Sequence, residues 1–315
     1  MSSDLSTAEI RHGNLIACID LSHGANCISF RDTARGATVL REPPKVGEPD
    51  NPFLYGMPIL FPVNRISGGA FSFEGRTYDF GINEAATGCH LHGTLHRMPF
   101  RLCERTERRV TAVYSAEAGE YLAFPHAFEI RVSHTLSENG LLHEVTVKNR
   151  SDTTMPCLLG FHTTFRTRLT EESHEADIRV KLDLSEEYER NMANYLPTGK
   201  KPPFDAVSSA LRSGTFCPTG TPISRHYRAG ARGTVELSDP VRGLAVRYEP
   251  DPKLAFRLVY NGTANGFICL EPQTSLANSP NAPVSREEAG FFTIPARSEE
   301  TFVSRMSIIQ NNETE

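Results

Sequence analysis

The sequence predicts an all-β protein built as one large antiparallel β-sandwich. Short runs rich in Val, Ile, Thr, Phe and Tyr recur between turn residues, which is the composition of strands. Turns typical of antiparallel hairpins join several of these runs, and the period of an amphipathic helix is nearly absent. Strands and helices do not alternate, so the pattern disfavours a parallel α/β fold.

The strands can be placed in chain order from these runs. The segment 71–80 alternates aromatic and polar residues about Glu74-Gly75, which predicts a tight hairpin with one buried face. Glu138-Asn139-Gly140 joins two further strands. The proline-rich stretch 190–227 is predicted as long ordered loops, and residues 310–315 are expected to fray. The other predicted strands are 15–21, 27–31, 110–115, 128–136, 141–148, 178–184, 234–237, 244–248, 254–260, 267–270, 291–294 and 301–309.

Length and charge limit the possible partners. A chain of 315 residues with 39% hydrophobic content can bury a large core, and we treat residues 1–315 as a single domain. The net charge of −5 comes without any block of Lys or Arg, so we expect no binding to nucleic acid or to an anionic membrane. A small neutral or mildly charged molecule is the expected partner, and no pattern specifies an oligomeric state.

Cysteine usage and the termini bear on the compartment. The seven cysteines lack CxxC spacing, which favours reduced thiols, and we expect Cys18, Cys27, Cys157 and Cys269 to pack in the core. The N-terminus shows no secretory signal, and no apolar run is long enough to span a bilayer. We therefore expect a soluble, cytoplasmic protein.

Glu271 is the most unusual polar residue of the sequence. It ends the apolar run 267–270 and precedes Pro272, which we expect to stop the strand there. A carboxylate on rigid backbone beside a partly dry hollow could have a shifted pKa and act in catalysis. An ordinary strand-end glutamate paired with an arginine fits the same pattern.

His90 and His92 flank Leu91 in an extended segment. A period of two would place both imidazoles on the same face, as two metal ligands would be presented. No glutamate follows at metal-site spacing, so we expect no metal and no cofactor. The alternative is that both are core histidines bonded to backbone. This alternative fits His90 better than His92, because Gly93 indicates a close backbone approach or a turn that faces a ligand.

His162 lies between Phe161 and two threonines in another apolar strand. Across a pocket from Glu271 it would form an acid/base couple, with Glu271 taking a hydroxyl proton and His162 delivering one to another oxygen. The simplest assignment predicts a bell-shaped pH profile, with its acid limb set by the carboxylate and its alkaline limb by the imidazole.

Arg65 follows Asn64 in a predicted loop ahead of the aromatic hairpin. Its fork of donors could bind sugar hydroxyls or anions, and a surface ion pair is the alternative. The sequence contains no Walker loop, no GxGxxG after a strand and no GxSxG elbow, so nucleotide binding and serine hydrolysis find no support.

At these residues the chain resembles the aldose 1-epimerase (galactose mutarotase) family. The similarity comprises five pieces in family order that span nearly the whole chain. They are 56–66 (GMPILFPVNRI) with the hairpin 71–78, Leu91-His92-Gly93, Phe161-His162, Tyr195-Leu196-Pro197-Thr198-Gly199, and Leu270-Glu271-Pro272-Gln273.

The resemblance implies a fold, a reaction and roles for single residues. The fold would be the single-domain β-supersandwich of galactose mutarotases. Glu271 would be the general base and His162 the general acid, while Arg65 and His92 would contact the substrate, with Asn64 counted among the binding residues. Such an enzyme interconverts the α and β anomers of an aldohexose by opening and closing the ring, without a metal or cofactor.

The chain departs from the family pattern at two places. Thr94 stands where a second glycine is common, and the chain has no tryptophan. The segment 223–227 lacks the family's substrate-contacting aspartate, whose place Arg225 or His226 could take. The substrate could therefore differ from galactose. A hexose-6-phosphate 1-epimerase and a non-catalytic sugar-binding module on the same fold are the alternatives.

Overall fold

The computed structural model describes residues 6–44 and 51–310 of the chain, so residue 310 ends its last strand while 311–315 lie outside the described residues. Its regular secondary structure is almost entirely strands. These are β1 (Thr7–His12), β2 (Leu15–Asp20), β3 (Asn26–Asp32), β4 (Ala37–Thr38), β5 (Ile59–Leu60), β6 (Arg65–Ser67), β7 (Ala70–Phe73), β8 (Arg76–Asp79), β9 (Cys89–Leu91), β10 (Arg101–Arg105), β11 (Arg109–Ala116), β12 (Phe128–Ser137), β13 (Gly140–Asn149), β14 (Met155–Pro156), β15 (Gly160–Phe161), β16 (Thr164–Arg166), β17 (Arg179–Leu182), β18 (Leu184–Tyr188), β19 (Ser224–Ala229), β20 (Val235–Asp239), β21 (Leu244–Glu249), β22 (Phe256–Tyr260), β23 (Phe267–Gln273), β24 (Thr293–Ile294) and β25 (Glu299–Gln310). One α-helix, α1 (Ala206–Ser213), and short 3₁₀ turns at Pro52–Leu54, Leu95–Arg97, Glu175–Asp177 and Ser279–Asn281 complete the described elements.

The strands form two large antiparallel sheets and several small ones. One large sheet has the order β10-β11-β12-β13-β25-β21-β20-β17. The other has the order β18-β19-β22-β23-β15-β5, with β16 also paired to β23. Strands β1 to β4 form a four-stranded sheet, and β6-β9, β7-β8 and β14-β24 form two-stranded ladders. The predicted all-β, antiparallel sandwich is therefore confirmed.

The two large sheets pack face to face across the hydrophobic core. Phe165 of β16 lies 6.1 Å from Tyr248 of β21, measured between ring centroids. Phe161 of β15 lies 4.7 Å from His143 of β13. Inward-facing residues alternate with more exposed ones along β13, as expected of a strand with one buried face. The seven-stranded sheet is thereby rigidly supported from behind, and it carries the site described below.

The predicted aromatic hairpin is present as β7 and β8. Phe71 pairs with Tyr78, and their rings stack at 4.6 Å. Glu74 and Gly75 both adopt positive φ, 47° and 73°, as a two-residue type I′ turn requires. The turn at 138–140 is also confirmed, because Ser137 at the end of β12 pairs with Gly140 at the start of β13.

The stretch 190–227 is more regular than we predicted. It contains α1, whose N-cap Asp205 accepts a hydrogen bond from Ser208 N at 2.9 Å and whose C-cap Gly214 has a φ of 81°. The helix is too short for its period to show in the sequence, so the caps were its only signals. The stretch also contains the start of β19, and the single strand predicted at 178–184 is divided at residue 183 into β17 and β18.

All seven cysteines are free, and Cys27, Cys157 and Cys269 are buried as predicted, whereas Cys18 is only half-buried. Across 6–44 and 51–310, no helix has the length and apolar character needed to cross a membrane.

Candidate active site

Glu271 lies inside β23, and our prediction that Pro272 ends the strand is wrong. The strand continues to Gln273 and pairs with β22 on one edge and with β15 and β16 on the other. On that second edge Leu270 N bonds Thr163 O and Thr274 N bonds Leu159 O. The proline nitrogen falls between these two bonds, opposite the interruption between β15 and β16, where the ladder needs no donor. Glu271 itself is completely buried, at 0% exposure.

His162 occupies that interruption. Its backbone N–H donates to Pro58 O at 2.9 Å instead of to the neighbouring strand. Its Nε2 lies 3.2 Å from Oε1 of Glu271, although the two groups are not aligned as a hydrogen bond. The predicted acid and base therefore face each other directly, and a small shift would let a proton pass between them.

His92 is directed into the same space by a reversal of the backbone. Strand β9 ends at Leu91, and His92 and Gly93 adopt positive φ values of 62° and 61°. The N–H of Asn64 donates to Nδ1 of His92 at 3.3 Å, which leaves the proton on Nε2. The ring of His92 then packs 5.5 Å from that of His162.

His90 does not share this face, so the expectation that period two would align both histidines is wrong. Its Nδ1 bonds Gly81 O at 2.9 Å, and its ring packs against Phe80. The positive φ of His92 breaks the alternation that the prediction assumed. His90 is the backbone-bonded core histidine that we gave as the alternative.

Asn64 lies behind the pocket wall rather than on it, and it links two of the predicted residues. Its backbone N–H bonds His92, and its side-chain Nδ2 donates to Oε1 of Gln273 at 3.1 Å. Gln273 in turn donates from Nε2 to Oε2 of Glu271 at 3.1 Å. This chain of bonds orients His92 and Glu271 together and leaves Oε1 of Glu271 free to exchange protons.

Arg65 lies on β6 and not in a loop, and it combines both of the roles we considered. Its Nε and Nη2 form a two-pronged ion pair with Glu84 at 2.6 and 2.7 Å. The guanidinium also lies over the ring of Tyr195, 4.6 Å from its centroid. The ion pair fixes the guanidinium while its third nitrogen, Nη1, remains for a ligand.

These side chains converge on a pocket of about 700 Å³, a size typical of small-molecule sites. Glu271, His162, His92 and Arg65 all line it. Its other lining residues include several that sequence reasoning had not assigned to the site, namely Phe53, Glu84, Arg190, Ser224, Leu258 and Tyr260.

The two residues suggested in place of the family's aspartate do not reach the pocket. Arg225 points to the other side of β19, where it pairs with Asp205 at 2.7 Å. His226 is completely buried, with its ring packed against Phe256. Ser224 and Arg190 occupy this part of the pocket instead. Nothing in the sequence distinguishes Arg190 from the chain's other arginines, whereas Tyr195 could be found through its Leu-Pro-Thr-Gly continuation.

Burial reverses the order of the acid and base pKa values that we first assumed. It raises the pKa of Glu271 to about 8 and lowers the pKa of His162 to about 3. The pair then holds one proton between these limits, and at neutral pH that proton is on the carboxyl. We therefore expect the alkaline limb of a pH profile to follow Glu271 and its acid limb to follow His162, opposite to the simplest assignment.

His162, Glu271 and the thiol of Cys269 are also the one group of potential metal ligands that the described residues bring together, with ligand atoms within 4.8 Å of one another. His90 and His92 are not part of it. Burial raises the pKa of the Cys269 thiol well above its usual value, so the sulfur keeps its proton and is a poor ligand.

Comparison with known proteins identifies the family and the fold of this chain. Residues 6–294 match the family model described as Aldose 1-epimerase. A galactose mutarotase-like protein from Clostridium acetobutylicum is 27% identical, with a TM-score of 0.90 over 96% of this chain and 95% of its own. A putative aldose 1-epimerase from Escherichia coli K12 is 18% identical, with a TM-score of 0.78 over 96% and 99% of the two chains. An aldose epimerase homologue from C. elegans is 14% identical, with a TM-score of 0.77 over 96% and 98%.

Proposed function

This chain belongs to the aldose 1-epimerase family, and from that premise we propose that it is a mutarotase that interconverts the α and β anomers of a free aldohexose. The observation that carries the proposal is the contact of 3.2 Å between Nε2 of His162 and Oε1 of Glu271 in the pocket. Anomerisation needs one group to remove a proton and another to supply one, and both must reach the same sugar ring.

The proposed reaction uses these two groups as base and acid. Glu271 removes the proton of the anomeric hydroxyl while His162 protonates the ring oxygen, and the ring opens to the free aldehyde. Rotation about C1–C2 presents the other face of the aldehyde. The two groups then exchange roles as the ring closes.

The protonation that the pKa values of Glu271 and His162 favour is the one that these groups have midway through the reaction, when the sugar ring is open. After ring opening Glu271 carries the proton and His162 is neutral, which is the state that their pKa values favour at neutral pH. Ring closure can start from that state at once. For a closed sugar, the proton must first pass from Glu271 to His162 across 3.2 Å.

The charges of the pocket favour a neutral sugar over a sugar phosphate. Among the described residues no lysine lines the pocket, and Arg65 is already neutralised by Glu84. Arg190 remains as a single cation, whereas phosphate recognition usually uses several converging donors. A purely binding module would not need a buried carboxyl and an imidazole in contact, because their desolvation is costly.

Polarimetry of freshly dissolved anomers tests the proposal. Galactose, glucose, arabinose and glucose 6-phosphate would be followed with and without the protein. Glu271→Gln should fold normally and lose about 10²-fold or more of the catalysed rate, because an amide keeps the shape but accepts no proton. His90→Gln serves as the control, since that histidine is buried nearby and bonds Gly81. Wild-type turnover by a folded Glu271→Gln variant would exclude Glu271 as the base.

A further inference from the structure

Arg190 is a buried cation that the reaction described above does not use. It lies between β18 and α1, and only 8% of its surface is exposed. Its Nη2 donates to Oγ of Ser224 at 2.7 Å and also to the backbone carbonyl of Ser224. Its guanidinium lies 5.6 Å from the ring centroid of Tyr195. These contacts fix it on the pocket wall.

The charge of Arg190 has no direct partner. Within residues 6–44 and 51–310, no carboxylate oxygen lies within 4.0 Å of its nitrogens, in contrast to Arg65, which Glu84 neutralises. An unpaired buried charge is costly, and a carboxyl that ionises in the same pocket lowers that cost. Glu271 is the other pocket carboxyl, since Glu84 is already engaged with Arg65.

The sheet places Arg190 and Glu271 on either side of one space. Ser224, which anchors the guanidinium, is on β19, and Glu271 is on β23. Strand β22 lies between them and pairs Tyr260 with Ser224 and Leu258 with Glu271. Two strand spacings amount to roughly 10 Å between backbones. Both side chains line the same pocket and so approach each other from its two sides.

We propose that Arg190 is the counter-charge of the base, a positioning residue whose unpaired guanidinium keeps the Glu271 carboxylate ionised while the sugar reacts. The inference rests on the proposed function, because it concerns the same site. Glu271 must lose its proton in a closed, dry pocket, and a fixed cation at the far wall stabilises the charge that remains. Arg190 then offsets the carboxylate of Glu271, while the proton that has passed to His162 remains available for the ring oxygen.

The other groups that face Glu271 provide no lasting positive charge. Burial lowers the pKa values of the imidazoles, so His92 stays neutral and His162 is charged only while it holds the proton that Glu271 has given up. Burial also keeps the thiol and phenol protonated by raising their pKa values. Arg65 is paired with Glu84. Arg190 also opposes the effect of burial on the Glu271 pKa more than Gln273 or Arg65 does. These neighbouring groups are Arg65, Glu84, His92, His162, Cys269 and Tyr260.

The test compares Arg190→Gln, Arg190→Lys and Arg225→Gln. Arg225 is a matched control because it lies on β19 beside Ser224 but pairs with Asp205 outside the pocket. In Arg190→Gln we expect kcat to fall about tenfold or more and the alkaline limb of kcat/KM to move up by about one pH unit, since one pKa unit is a tenfold change. Arg190→Lys should recover most of both effects, and Arg225→Gln should show neither.

A second measurement does not depend on turnover. The infrared carbonyl band of the protonated Glu271 carboxyl can be identified by its loss in Glu271→Gln and titrated in each variant. We expect its midpoint to rise in Arg190→Gln. If that midpoint and the alkaline limb both stay at their wild-type values, or if only KM changes, the proposal is wrong. A shifted midpoint in a protein that turns over no sugar would reject the proposed function and retain the counter-charge.

Discussion

Glu271 and His162 hold one proton between them over a wide pH range, because burial raises the pKa of the carboxyl to about 8 and lowers the pKa of the imidazole to about 3. The reactive arrangement that we propose, carboxylate with imidazolium, contains the same number of protons as the resting one. Activity therefore does not require the overall protonation to change at neutral pH. It requires the proton to be redistributed, and Gln273 and Asn64 orient the groups that exchange it.

Two substitutions should separate chemistry from recognition. His162→Asn removes the proposed acid, so we expect kcat to fall about 10²- to 10⁴-fold while sugar binding persists through Arg65 and His92. Arg65→Ala removes directed donors, so we expect binding to weaken about 10- to 100-fold with a smaller effect on kcat. Polarimetric kinetics and calorimetric sugar binding measure the two effects.

Arg76→Ala is the control for Arg65→Ala, because Arg76 is an exposed arginine on β8. It should leave both the rate and the binding unchanged. The assigned division of roles fails if His162→Asn keeps its rate, or if Arg65→Ala binds sugar as tightly as the wild type.

At the scale of elements, the turn after β9 controls where His92 points. Gly93 has a φ of 61°, and a Cβ built on it would lie 1.9 Å from the carbonyl oxygen of Phe61. No side chain fits this approach, so the glycine holds the turn against the segment 58–64. The same turn carries Thr94, whose N–H donates to the hydroxyl of Tyr121 at 3.0 Å.

Gly93→Ala should therefore disturb both stability and activity. A matched control is Gly75→Ala in the β7–β8 turn, where φ is 73° and nothing lies within 4 Å of the added Cβ. We expect Gly75→Ala to cost about 1 kcal/mol from backbone strain alone. Gly93→Ala should cost clearly more and should lower kcat/KM through His92. Chemical denaturation and polarimetry measure these effects, and equal losses in the two variants would show that the contact with Phe61 is unimportant.

Over the whole molecule, buried histidines make stability depend on pH. Eight imidazoles have lowered pKa values, in each case mainly because of burial: His90, His92, His96, His126, His134, His143, His162 and His226. Below about pH 6.5, the pKa of histidine in an unfolded chain, the unfolded protein binds protons at these histidines and the folded protein does not. Stability is therefore complete above that value and falls as the pH decreases. The raised pKa of Glu271 acts in the opposite direction, but it is one group against eight.

We expect Tm to fall continuously from pH 6.5 to pH 5 at constant ionic strength, since each such histidine contributes up to about 1.4 kcal/mol per pH unit. Calorimetry of the wild type measures this slope. His143→Gln should make it shallower, because His143 lies in the core beside His134 and Phe161. His174→Gln, at an exposed position, should leave it unchanged. A Tm that is constant over this range would contradict the expectation.

The amino-acid sequence by itself determined the fold class and most strand positions, and it singled out Glu271 and His162, which the structure places in contact. Strand composition and turn residues are local signals, so 128–136 and 141–148 could be placed without knowing their partners. Glu271 and His162 were recognisable because polar residues in apolar strands are unusual. They also lie in motifs that follow one another in the order of the aldose 1-epimerase family. The hairpin at Glu74-Gly75 followed from backbone geometry that few residues tolerate.

Only the tertiary structure decided how these residues act. The continuation of β23 through Pro272 depends on a gap in the neighbouring ladder, which no local pattern reveals. The separation of His90 from His92 depends on one positive φ, and the order of the two pKa values depends on burial from every side. Arg190 joins the pocket through contacts with Ser224 and Tyr195 that lie in different elements. Charge balance in a buried site is a sum over groups brought together in space, and the chain order of those groups does not contain it.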